Sequence, residues 1–270
     1  MLQYPHMRKY FQIFKVTIQE FLTYPNKFFT VTFMNAATAF VFIIIWKAIY
    51  QDKTSLLGYT ISSIVTYYSV TYMIGYLTIS GSAAKLISEG VHQGQLSALL
   101  IKPISYPFFI FTQSYAEKII KCLGLIILVF LLSFFFNSIF LMPPLINFGL
   151  FFISVVFASL INFFIYALVG CLAFWVVKIG GLRSILGRLF DIMSGKIFPL
   201  DFLPASVLPF TYFLPFRSMH YLPAVIYLNR LTLPQSLSQI GVQILWIIIL
   251  CFLYLILWKK GMVKYDSVGN

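Results

Sequence analysis

From Cys122 to Val177 the chain carries no charged side chain. Few features restrict a fold more tightly. A helix needs about 20 apolar residues, at 1.5 Å each, to cross the hydrocarbon of a bilayer. This stretch is long enough to cross twice, with the uncharged link "MPPLIN" between the crossings. Composition says the same of the whole chain. Of 270 residues, 60% are hydrophobic and 10% charged, against roughly 25% charged in an average soluble domain. A water-soluble core of this size cannot hide so much apolar surface.

The expected architecture is an all-α integral membrane protein with six transmembrane helices. The apolar runs place these at Phe28–Tyr50, Leu57–Ser80, Ile119–Leu141, Phe148–Val177, Leu182–Leu200 and Ile240–Trp258. Residues 28–270 then form a single membrane domain. Before it, residues 1–27 lack the pattern of a secretory signal peptide. There Phe11, Phe14, Ile18 and Phe21/Leu22 make one apolar stripe among Arg8, Lys9, Lys15 and Glu20. That stripe suits an amphipathic helix lying on the membrane surface and closed by Pro25, or else a partly ordered tail.

Net charge is +12, from 19 Lys+Arg and 7 Asp+Glu. In a soluble chain such an excess would suggest nucleic acid; here its distribution assigns it to membrane orientation. With the N-terminus inside, fourteen basic residues fall on the cytoplasmic side and five on the other: Lys47, Lys53, Lys196, Arg217 and Arg230. Both termini are therefore expected in the cytoplasm. Cys122, Cys171 and Cys251 lie in or beside apolar runs, without metal-type spacing, and read as unpaired packing residues.

Two connecting segments stand out. The insert 81–107 is partly apolar and helix-like. Ala84, Ile87 and Val91 form a stripe, with Lys85, Ser88, Glu89 and His92 in the intervening positions. Gly90 and Gly94 should break that helix, a second piece follows at Leu96–Ile101, and Pro103 stops it. A stripe of this kind docks on lipid headgroups or on a soluble partner. The segment 201–234 holds five Leu-Pro steps, ending at Pro204, Pro209, Pro215, Pro223 and Pro234. It reads as short re-entrant or interfacial helices on the outer side, anchored by Phe210, Tyr212, Phe213, Phe216, Tyr221 and Tyr227.

No GxxxxGK[ST] phosphate loop occurs, nor HExxH, CxxC or GxSxG. His6, His92 and His220 are far apart, so neither catalysis nor a metal site is expected in this chain. The chemistry available is that of a transport path. Ser184, Gly187, Asp191 and Ser194/Gly195 give the fifth span one small, polar face. Asp191 would lie about 14 Å into a ~30 Å core, where an acid is costly unless paired or wet. Either Arg188, three residues earlier, pairs with it, or the acid lines a cavity. Lys196 is expected to reach outward to headgroups. Tyr68, Tyr72 and Tyr76 recur at i+4 in the second span, as a packing stripe or as a hydroxyl-bearing wall.

Six spans with a helical insert between the second and third resemble the permease subunits of type-2 ATP-binding-cassette exporters. Two sequence stretches carry the resemblance. "EGVHQGQLSALLIKPIS" contains Gly94, Leu99, Leu100, Lys102, Pro103 and Ser105 in the family's order. "SGKIFPLDFLP" supplies Ser194, Gly195, Phe198, Pro199 and Pro204. The resemblance implies that the insert is a coupling helix seated in a separate ATPase subunit, through Lys85, Ser88, Glu89, Val91 and His92. It implies that ATP and Mg are bound by that ATPase and no cofactor by this chain. It also implies a second permease subunit, identical or sister, with spans two and five lining the path. The setting would be a bacterial cytoplasmic membrane and the cargo hydrophobic or amphipathic: a drug, peptide, lipid or glycan. Two other readings remain open: an ion-gradient carrier titrating at Asp191, and a scaffold without transport.

Overall fold

The computed structural model describes residues 5–268 except 24, 52–53, 79–80, 103, 117, 120–140 and 178. All the regular elements among them are helices. In order they are α1 (Pro5–Thr23), α2 (Pro25–Tyr50), α3 (Ile61–Thr78), α4 (Gly81–His92), α5 (Gln95–Leu100), α6 (106–116), α7 (Leu145–Cys171), α8 (Gly180–Met193), α9 (Leu208–Tyr212), α10 (Tyr221–Tyr227) and α11 (Leu233–Val268). Short 3-10 turns follow α7, precede α9 and precede α10.

Two helices among the described residues are long and apolar enough to cross a membrane: Leu145–Phe174 and Leu233–Tyr265. They contain the run read as span six and, as far as Phe174 and short of Val177, the run read as span four. Half of the first is buried within the fold, against 22% of the second, which makes α7 the central pillar. α11, α4, α10 and α3 all pack on it. α2 covers the run read as span one and leaves Phe33, Phe40, Val41, Ile44 and Ile49 exposed. Against lipid such a surface costs nothing, because the solvent there is as apolar as the side chains. The run read as span three lies outside the described residues save for its two end residues, and Cys122 lies there too.

Two expected spans differ in extent. The second begins at Ile61 rather than Leu57. Leu57 (φ 48) and Gly58 (φ 76) form a tight turn, in which the Leu56 and Tyr59 amides and carbonyls exchange hydrogen bonds of 2.9 Å. The fifth stops at Met193 rather than Leu200. At 14 residues it rises about 21 Å, short of a ~30 Å crossing. Gly195, at φ 79, ends it in a left-handed turn, the usual exit from a helix.

The insert also departs from expectation. Gly90 does not break α4, which runs on to His92. A Cβ there would come within 1.9 Å of the Tyr106 hydroxyl, which donates to the Leu86 carbonyl at 3.1 Å. Gly90 is therefore a contact point, and the break falls at Gly94 alone (φ 73). The apolar stripe of α4 is not free for a partner. Ala83, Ala84 and Ile87 are fully buried, and a Cβ on Gly170 of α7 would stand 3.0 Å from Ala84 Cα and from Ile87 Cβ. Small residues let the two backbones approach this closely. Lys118, counted among the cytoplasmic charges, is buried; its Nζ donates to Ser159 Oγ at 2.8 Å.

Two long-range contacts brace the far side of the insert. Tyr265 on α11 and Ser97 on α5 share a hydrogen bond of 2.6 Å. The Ser105 amide donates to the Tyr10 hydroxyl of α1 at 2.9 Å, and the Tyr10 ring meets Phe108 edge-on.

Candidate functional site

The stretch "SGKIFPLDFLP" lies between the end of α8 and α9, and almost every polar group around it is committed to holding it. Tyr67 and Tyr68, neighbours on α3, donate to its backbone: Tyr67 to the Gly195 carbonyl at 2.5 Å and Tyr68 to the Ile197 carbonyl. The amide of Tyr221, at the start of α10, donates to the Ser194 carbonyl at 2.9 Å. Asp201 accepts from two phenols, Tyr59 at 2.5 Å and Tyr221 at 2.7 Å. Burial first, and the Asp201 carboxylate second, push the Tyr59 phenol well above its ordinary value, so it stays a donor. The Arg230 guanidinium stacks 3.6 Å above the Tyr59 ring, and Nη1 donates to the Gly58 carbonyl at 3.2 Å.

Gly195 is required twice over. Its φ of 79° disfavours any Cβ, and one built there would lie 2.8 Å from Tyr67 Oη and 2.9 Å from Tyr221 Cβ. The chain is thus pinned from α3, α10 and the 56–59 turn together, which is why helix α8 cannot continue.

Asp191, one turn before this hub, pairs with Lys196 at 3.0 Å rather than with Arg188. The left-handed turn at Gly195 folds Lys196 back along α8, so its ammonium turns toward the acid and not outward to headgroups. Asp191 and Lys196 side chains are 23% and 29% exposed. Beside them His220 is buried, with Nδ1 3.0 Å from Ser194 Oγ. Ser194 Oγ also donates to the Asp191 carbonyl at 3.2 Å, an arrangement in which it accepts from a protonated Nδ1. Burial, then the Lys196 charge, hold His220 well below its ordinary value and keep it neutral.

An open groove of about 410 Å³ runs along the hub's other side, lined by Phe42, Trp46 and Tyr68 with Ile197, Phe198 and Phe202, and by no charged side chain. It suits apolar or aromatic matter.

The other expected residues are distributed as follows. Of the tyrosine ridge, Tyr68 is buried in the hub and Tyr72 is half-buried with its ring tilted against Phe42; the Tyr76 side chain lies outside the described residues. On α8, Ser184 is exposed and bonds back to the Gly180 carbonyl, Gly187 faces the Tyr166 hydroxyl, and Arg188 is exposed. Pro199 is buried, Phe198 half-buried and Pro204 exposed.

On α4, Lys85 and Glu89 form an i,i+4 pair at 3.6 Å. Ser88 is half-buried and His92 exposed, while Val91 packs inward against the cluster around Tyr106. The free apolar side chain is Ile101, 87% exposed beside exposed Lys102. Pro103 lies outside the described residues.

Sequence reasoning passed over Tyr59, Tyr67 and Asp201, and it read Tyr221 only as an interfacial anchor and His220 only as an isolated histidine. The i+4 spacing picked out Tyr68, Tyr72 and Tyr76, whereas the adjacent pair in "TYYS" does the bonding. Asp201 stood inside the quoted stretch and was the available signal.

A family model described as ABC-2 family transporter protein matches residues 33–269. No curated protein matches the chain.

Proposed function

This chain belongs to the ABC-2 family of transporters, an integral membrane component, and from that premise we propose that it is the permease subunit of an exporter driven by a separate ATPase. Two such subunits, identical or sister, pair around a central path in a bacterial cytoplasmic membrane. Both termini and α4–α5 face the cytoplasm, the membrane is crossed six times, and the hub caps the outer end. The cargo is hydrophobic or amphipathic, in keeping with the uncharged aromatic groove.

One observation carries the reading. α3, which leads toward α4 at one end, is hydrogen-bonded through Tyr67 and Tyr68, near its middle, to the segment ending α8. Closure of the ATPases on α4–α5 therefore acts on both elements that line the path. α4 is locked to α7 at Gly170 and α5 is tied to α11 at Tyr265, so a push is borne by the pillar and not absorbed by a loose loop. The ATPase grip falls on the outward groups: the Lys85–Glu89 pair, His92 and Ile101. An ion-coupled carrier using Asp191 gains no support, because Lys196 already occupies its carboxylate.

The test is co-expression with a candidate ABC ATPase subunit, followed by pull-down and reconstitution. The wild-type pair should show ATP hydrolysis that responds to the permease. E89R and I101D should insert normally yet lose ATPase capture. Undiminished capture and transport in both variants would sink the proposal.

A further inference from the structure

Arg217 is deeply buried, at 8% exposed, and two of its nitrogens, Nε and Nη1, are buried with no hydrogen-bond partner, whereas buried Lys118 donates to Ser159. Its guanidinium lies between two rings, 3.7 Å from the Tyr212 centroid and 4.8 Å from that of Tyr221. Stacking does not satisfy those nitrogens. A ring face offers no lone pair along the N–H bonds, which lie in the guanidinium plane and point out of its edges. A buried charge with unused donors is strongly unfavourable unless something supplies acceptors.

The protein has little to offer. On the proposed outer side its acids are Asp52, Asp191 and Asp201. Asp191 is paired with Lys196, and both oxygens of Asp201 are taken by tyrosines. Asp52 lies outside the described residues.

The surroundings identify a donor of acceptors. α9, shortly before Arg217, buries only Thr211; Phe210 and Tyr212 on it and Phe213 just after it are exposed. Exposed aromatic rings on a short helix are the mark of the headgroup level of a bilayer, and the anion abundant there is phosphate. We propose that Arg217 is a phosphate-binding site for a lipid headgroup, with Tyr212 stacked over the bound cation and the rings of α9 set among the neighbouring acyl chains. A phosphate has enough oxygens to serve donors on more than one edge of the guanidinium. α9 is anchored by Thr211 and by Leu208 at its start, which packs on the core, while its exposed rings lie on the other side. The placement on the outer side rests on the topology proposed above, but the site itself does not depend on an ATPase.

The experiment uses the full chain in a neutral detergent and reads its melting temperature during titration with dioctanoyl phosphatidylglycerol, dioctanoylglycerol or inorganic phosphate. The phospholipid should stabilise the wild type and dioctanoylglycerol should not. In R217Q the apparent Kd should rise about tenfold or more, as for loss of charge-assisted hydrogen bonds. R217K, which keeps the charge, should fall between and serves if R217Q does not fold. Inorganic phosphate acting as strongly as the lipid would support the anion site and assign it a soluble source. An unchanged lipid response in both variants, or no response to either phosphate probe, would overturn the proposal. So would a loss of self-association in R217Q with the lipid response intact, which would give Arg217 to a second copy of the chain.

Discussion

Replacing Gly195 by alanine tests the hub most directly. The substitution adds one carbon at φ 79, where it meets Tyr67 Oη at 2.8 Å and Tyr221 Cβ at 2.9 Å. The left-handed backbone alone costs about 1–2 kcal/mol for a residue with a Cβ. Crowding adds about 1–3 kcal/mol. Displacing the Tyr67 hydroxyl leaves the Gly195 carbonyl without its 2.5 Å donor, worth about 1–2 kcal/mol. These effects overlap, so a total of about 3–5 kcal/mol is expected, a large part of the stability of an ordinary domain. Tyr67→Phe removes only the hydroxyl and should cost about 1–2 kcal/mol. The two changes must then be non-additive. With the hydroxyl gone, the new methyl has lost its closest neighbour, and the hydrogen bond cannot be lost twice. The double variant should be about 1–2 kcal/mol more stable than the sum predicts. Reversible unfolding of the full chain in mixed detergent, read by near-ultraviolet circular dichroism, gives all four corners of the cycle. Strict additivity would refute the account of Gly195 as the point where α3 grips the chain.

Other perturbations follow from the same contacts. Lys196→Met strands Asp191 in a partly buried site and should destabilise by about 1–3 kcal/mol, between the exposed and fully buried limits; adding Asp191→Asn should recover part of the loss in the same unfolding assay. Buried His220 is held below its ordinary value, so the unfolded chain takes up the proton first as pH falls. Stability should be level above about pH 6.5 and decline below it, and His220→Gln should remove that part of the slope in melts across about pH 5 to 8. Gly170→Val, which meets Ala84 Cα and Ile87 Cβ at 3.0 Å or closer, should shift α4 off α7. ATPase binding would then survive while transport per ATP hydrolysed falls.

What the sequence made legible was decided by the range of the forces involved. α7 and α11 follow from uninterrupted apolar runs, and the helical insert follows from its stripe. Where α8 ends was hidden, since it depends on Tyr67, Tyr68 and Tyr221, distant in the chain. Gly90 looked like a helix breaker because propensity is local, yet it stays helical to admit Tyr106. Arg188 sat at the right helical spacing for Asp191, but a left-handed turn brought Lys196 closer. The stripe of α4 was read as docking on headgroups or a soluble partner, whereas it packs on its own chain at Gly170 of α7.

The tyrosines of α3 grip main-chain carbonyls, not side chains. Ile197 bonds through its backbone while its side chain, like that of Phe198, lines the apolar groove. Joint and lining are thereby separated within a single residue. The groove can be reshaped by substitution at 197 and 198 with the hydrogen bonds that join α3 to this segment left in place. Gly195 alone is denied that latitude, and a randomised library over 194–198 would show a sharp intolerance there flanked by variation.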